Sequence, residues 1–138
     1  MIGIVYWSGT GNTEQMAEII ADAARAKGGE VKLMEVSDFD TSTVLDYDVL
    51  ALGCPAMGDE VLEEGEFQPM WDEIKDKLAG RKAALFGSYS WADGEWMEKW
   101  DAEAKEIGIE LVYPSLICYE APEGETEEKC KELGAALV

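Results

Sequence analysis

The chain has 138 residues, with 30 Asp and Glu against 11 Lys and Arg, for a formal charge of −19. That length fits one domain, residues 1–138, which can bury roughly 68% of the surface its unfolded chain exposes. Apolar residues at 47% and aromatics at 9% exclude a disordered acidic tail. The charge argues against nucleic acid and anionic membrane as partners, and for basic proteins.

Histidine is absent, so Ser-His-Asp and Cys-His catalysis are excluded and the commonest metal ligand is missing. Cys54, Cys118 and Cys130 are odd in number and form no CxxC pair. Neither a disulfide framework nor a zinc or iron–sulfur site is suggested, and a reducing, cytoplasmic compartment is expected. The N-terminus has no basic leader, and the apolar runs are far short of a membrane span.

In chain order, apolar runs place strands at residues 2–7, 31–36, 48–54, 82–88 and 109–119, the last with Pro114 as a candidate interruption. Helical periodicity places helices between them. The first spans residues 13–27, with Met16, Ile19, Ile20, Ala23 and Ala24 inward. The second spans 67–78 on a stripe of Phe67, Met70, Trp71, Ile74 and Leu78. The third spans 95–107, with Trp96, Met97, Trp100, Ala104 and Ile107 inward, and the fourth spans 126–137. A short helical turn fits within residues 37–47. Strands alternating with helices predict an α/β fold: a doubly wound, five-stranded parallel sheet of order 2-1-3-4-5 with helices on both faces. Its ligand would sit beyond the carboxyl ends of strands 1, 3 and 4.

The loop after the first strand reads Ser8-Gly9-Thr10-Gly11-Asn12-Thr13. It offers backbone N–H groups, hydroxyls and a helix N-terminus, which together make a phosphate cradle. No GK[ST] follows, no Lys or Arg precedes Arg25, and Glu14 replaces the third glycine of a dinucleotide fingerprint. A single terminal phosphate therefore fits better than a triphosphate. The plain alternative is a helix cap with a glycine turn. After strand 3 comes Pro55-Ala56-Met57-Gly58-Asp59-Glu60, and after strand 4 Ser88-Tyr89-Ser90-Trp91-Ala92-Asp93-Gly94. Met57 and Trp91 in such loops suit the two faces of a flat aromatic ligand, unless each folds onto its own core. Trp7 could be core or could close the pocket.

The runs at residues 6–14, 53–58 and 86–89 with Trp91 resemble the short-chain flavodoxins of anaerobic bacteria, in motifs, order and loop spacing along the whole chain. The resemblance implies an FMN-binding, low-potential electron carrier, cycling through a semiquinone, with no catalytic residues and no metal. It implies that Ser8, Gly9, Thr10, Gly11, Asn12 and Thr13 hold the FMN phosphate. Pro55, Ala56, Met57, Gly58, Asp59 and Glu60, with Ser88, Tyr89, Ser90 and Trp91, would hold the ring. Met57 and Trp91 would cover its faces, Glu60 would accept from N3, and the Gly58–Asp59 peptide would flip on one-electron reduction. Redox partners with basic surfaces and a monomeric state are expected. Ser90 and Ala92 stand where relatives often have Gly, and Ser90 at a positive φ would cost about 1 kcal/mol. Glu120 would oppose flavin anions.

Residues 59–66 carry Asp59, Glu60, Glu63, Glu64 and Glu66. Most fit a solvated surface. Each carboxylate at an assumed ~10 Å would still cost an anionic flavin about 0.4 kcal/mol in water, or ~2 kcal/mol together. That is on the order of 90 mV against the second electron. Two other classes compete: a small flavin reductase, for which no nicotinamide motif is seen, and a phosphorylated signalling domain. The latter lacks its aspartate, since Cys54 ends strand 3.

Overall fold

The computed structural model describes residues 1–58, 60–90 and 93–138. Its strands are β1 (Ile2–Tyr6), β2 (Val31–Glu35), β3 (Val49–Gly53), β4 (Lys82–Tyr89), β5 (Glu110–Leu111) and β6 (Leu116–Tyr119). Its helices are α1 (Asn12–Ala26), α2 (Phe67–Ile74), α3 (Glu95–Ile107) and α4 (Glu125–Ala136). Tight 3-10 turns over Val36–Asp38 and Thr41–Asp46 fill the segment where one turn is expected, and a third, Lys75–Leu78, finishes the predicted second helix.

All strand pairs among these residues are parallel, in the order β2-β1-β3-β4, with β5 and β6 both paired to β4. The sheet therefore has six strands where five are predicted. The expected last strand is cut in two around Pro114, which has no N–H for the ladder. The register shows the cut: Ala83 pairs with Leu111 and Phe86 with Leu116. The edge chain passes Ala84 and Leu85 by a detour through residues 112–115.

Alternation along the strands divides the core into two layers. Ile2, Ile4, Tyr6, Val49, Ala51, Ala84 and Phe86 pack with α1 and α4. Val5, Leu50, Leu52, Ala83 and Leu85 pack with α2 and α3. The helix faces explain why these helices form where they do. Helix α2 has only eight residues, too few to hold itself in water. Its buried Phe67, Met70, Trp71 and Ile74 each contribute about 2 kcal/mol by leaving water. On α1 the buried face is centred on Met16, Ala17, Ile20, Ala21 and Ala24, with Ile19 and Ala23 only half-buried. The small residues belong at the centre because α4 approaches so closely that a Cβ on Gly134 would strike the Ile20 carbonyl. Trp71, Trp96 and Trp100 are buried, as their stripes predict.

Candidate functional site

The carboxyl ends of β1, β3 and β4 carry three loops that meet at a cleft of about 410 Å³, within the usual size range of cofactor sites. A hollow of about 490 Å³ lies at the other end of the sheet, beside Arg81, Lys82 and Leu137. It is lined by none of residues 8–13, 55–60 or 88–91, so the carboxyl-end cleft is the candidate.

The first loop turns into α1 at Gly11, whose φ of +98° requires glycine. Ser8 caps the helix from outside: its Oγ accepts the Gly11 N–H at 3.1 Å and the Glu14 N–H at 3.3 Å. Its own proton remains available to a ligand. Thr13, 1% exposed, has its hydroxyl 2.8 Å from Ser88 Oγ and accepts the Ser88 N–H at 3.3 Å. Thr10, Asn12 and Thr13 have backbone N–H groups with no partner among the described residues. Gly9, Thr10 and Asn12 line the cleft, while Ser8, Gly11 and Thr13 support it from behind. Glu14 faces away: the Tyr6 hydroxyl donates to its Oε2 at 2.9 Å. Burial, and then this carboxylate, push the Tyr6 phenol well above its usual range.

The second loop runs beside β4, with Cys54 N–H donating to Phe86 O at 3.1 Å and Ala56 N–H to Ser88 O at 3.0 Å. It then closes a turn in which Glu60 N–H donates to Met57 O at 2.8 Å and Met57 N–H to Val61 O at 3.0 Å. Pro55, Ala56 and Met57 line the cleft. Gly58 is exposed on the turn. Glu60 sits behind, 9% exposed and at φ +55°. Its Oε2 accepts the Trp96 backbone N–H at 3.0 Å, at the start of α3. Its Oε1 is buried with no partner among the described residues. Burial lifts the Cys54 thiol to about 12, as expected of an inert cysteine.

Ser88, Tyr89 and Ser90 complete the wall. Ser90 lies outside the left-handed region, so the strain considered for it does not arise. Asp59, Trp91 and Ala92 lie outside the described residues. Trp7 and Glu120, both considered from sequence, also line the cleft, and with them Ala121, which sequence reasoning missed. Trp7 takes both roles left open for it, packing on the α2–α3 layer while bordering the cleft. Glu120 holds φ +57°, with its N–H on Tyr89 O at 2.7 Å. A periodicity argument reads buried faces and has no access to an edge loop such as 120–121.

The acidic stretch is less uniform than its composition suggests. Glu63 accepts N–H groups from Gly65 at 2.7 Å, Glu66 at 2.7 Å and Phe67 at 2.8 Å, and so caps α2. Glu64 and Glu66 are exposed. Among the described residues no group of His, Cys, Asp or Glu is arranged to hold a metal, and no helix is long and apolar enough to cross a membrane.

A family model described as Flavodoxin matches residues 4–134. The flavodoxin of Clostridium beijerinckii is 50% identical over 134 residues, covering 97% of this chain and 96% of that one. The flavodoxin of Megasphaera elsdenii is 43% identical over 136 residues, covering 99% and 97%. The solution structure of the two-electron reduced M. elsdenii protein matches with a TM-score of 0.90, over 99% of this chain and 98% of that one. These matches span nearly the whole chain, and the chain accordingly belongs to the flavodoxin family, as an FMN-binding electron carrier rather than an enzyme.

Proposed function

We propose that FMN lies across the carboxyl-end cleft, its phosphate on residues 8–13 and its ring between residues 55–60 and 88–91. One observation carries this reading: among the described residues the N–H groups of Thr10 and Asn12, which line the cleft, have no partner, nor has that of Thr13 just behind them, in a stretch with no Lys or Arg before Arg25. Hydrogen bonds to a charged acceptor are worth about 1.5–3 kcal/mol each, enough for a few amides to hold one phosphate without a cation.

The remaining residues fit the same group. Met57 covers one ring face, with Pro55, Ala56, Ser88, Tyr89 and Ser90 along the edges; Trp91, outside the described residues, is assigned the other face from its sequence alone. The buried, unpartnered Oε1 of Glu60 suits an N–H donor such as the ring's N3–H, since a buried acceptor left alone is costly. When bound, FMN supplies the one- and two-electron chemistry. The protein binds it, orients it and keeps water from its faces.

Flavodoxins exchange electrons with redox partner proteins. The net charge of −19 favours partners with basic surfaces, steered to the cleft at a rate that falls with ionic strength. A monomeric, single-domain, cytoplasmic protein with three free cysteines suits this role. The test is an ¹⁵N-NMR titration of the apoprotein with FMN. The amide signals of Thr10, Asn12 and Thr13 should move downfield far more than those of the sheet. Unmoved signals at all three would dismiss the phosphate site.

A further inference from the structure

Trp96, 2% exposed in the first turn of α3, bonds to both ends of the loop that follows β3. Its indole N–H donates to the Cys54 carbonyl at 3.1 Å, where the loop begins. Its backbone N–H donates to Glu60 Oε2 at 3.0 Å, where the loop turns back. Its ring also lies 5.9 Å from that of Tyr89, which lines the cleft from the other side. The fit is close: a Cβ on Gly87 would come within 3.1 Å of the indole. Between the two anchors, Gly58 would meet nothing within 4 Å of an added Cβ. Trp100, one turn further along α3 and equally buried, packs on Phe67 and Trp71. Its indole N–H has no partner among the described residues.

We infer that Trp96 is a positioning residue for the flavin: it ties both ends of residues 54–60 to α3, fixing the two ends of this loop while the space beside Gly58 stays open. It touches no reacting atom and acts through the Cys54 carbonyl and the Glu60 carboxylate. Two hydrogen bonds from one side chain and its own backbone make the loop a strap pinned at its ends. Losing the indole bond leaves a buried carbonyl without its donor, and the strap opens more often. The link to flavin rests on the proposed placement of the ring beside this loop.

The experiment compares Trp96→Phe with Trp100→Phe in the full chain. Both lose similar volume from one helix face, but only the first loses a hydrogen bond. Hydrogen exchange without FMN should quicken about tenfold at Met57 and Glu60 in Trp96→Phe, and stay unchanged there in Trp100→Phe. With ligand, Trp96→Phe should weaken FMN and riboflavin by a similar factor, about tenfold, leaving their ratio as in the wild type. Equal exchange in the two variants would overturn the inference, as would faster exchange with undiminished affinity. A wild-type chain that did not prefer FMN to riboflavin would instead defeat the phosphate placement. Should Trp96→Phe fail to fold, the wild-type indole N–H signals decide. That of Trp96 should exchange no faster than the sheet amides, and rapid exchange would overturn the proposal.

Discussion

The hydroxyls of Thr13 and Ser88 lie 2.8 Å apart, although 75 positions separate them in the chain. They bolt the start of α1 to the end of β4, and so the loop after β1 to the loop after β4. The bond is buried, and Thr13 Oγ1 also accepts the Ser88 N–H. Thr13→Val should lower stability by about 1–3 kcal/mol, the usual cost of leaving buried polar groups unpaired. Thr13→Ser should recover most of it. Urea unfolding of the apoprotein measures the first effect. A Val variant as stable as the wild type would show that the pair holds nothing together.

Glu63 gives a pH dependence with a definite sign. Burial alone would raise its pKa, but the N–H groups of Phe67, Glu66 and Gly65 outweigh burial and lower it. A lowered folded pKa means that the stabilisation is present above the ordinary carboxylate range, near 4.3. It is lost as pH falls through the folded value. Glu63→Gln should cost about 1 kcal/mol at pH 7, in line with other caps. The difference from the wild type should close on acidification. A difference that stayed constant from pH 7 to pH 3 in denaturant melts would contradict the capping role.

Gly87→Ala should be severe, because the new Cβ would collide with the Cys54 carbonyl, which is backbone and cannot swing aside. The expected loss is about 2–4 kcal/mol. Thermal unfolding checks it, and an unchanged midpoint would mean that β3 and β4 part more readily than their register implies.

Gly58 occupies the second position of the turn closed by Glu60 N–H on Met57 O. Its φ lies outside the left-handed region and an added side chain meets open space. Gly58→Thr should therefore leave apoprotein stability within ~0.5 kcal/mol. A flip that carries the turn into the I′ or II′ form, whose first central residue has a positive φ, would place Gly58 in the left-handed region. That costs a non-glycine residue roughly 1–2 kcal/mol. The first reduction step should become harder by roughly 40–90 mV, at 59 mV per tenfold. Spectroelectrochemistry tests this, and an unaltered first couple removes the flip.

Most of the fold was legible because buried strands and one-faced helices write periodic patterns. The range 95–107 for α3 and the stripe of α2 were read directly. Pro114 announced the break in the last strand, though its depth depends on the pairing of Leu111 and Leu116 with β4. The glycine turn into α1 was legible because the left-handed φ at Gly11 needs that residue at that place. What stayed hidden depends on contacts between distant segments. Nothing near Glu63 in sequence marks it as the cap of α2, rather than one more surface acid. Trp96 reads as core, and only the fold shows its indole on Cys54. Glu60 and Glu120 adopt positive φ without being glycine, against local preference, and tertiary bonds hold them there. Asp59, Trp91 and Ala92, outside the described residues, remain expectations from sequence.

The most direct test of the whole account is the affinity of the apoprotein for FMN against riboflavin, which differ only by the phosphate. Fluorescence titration at fixed ionic strength gives both constants. Three amides without a cation predict that FMN binds at least a hundredfold more tightly, about 2.8 kcal/mol at 1.4 kcal/mol per tenfold. Equal affinity for the two would contradict the claim that an uncharged nest at the start of α1 captures the phosphate.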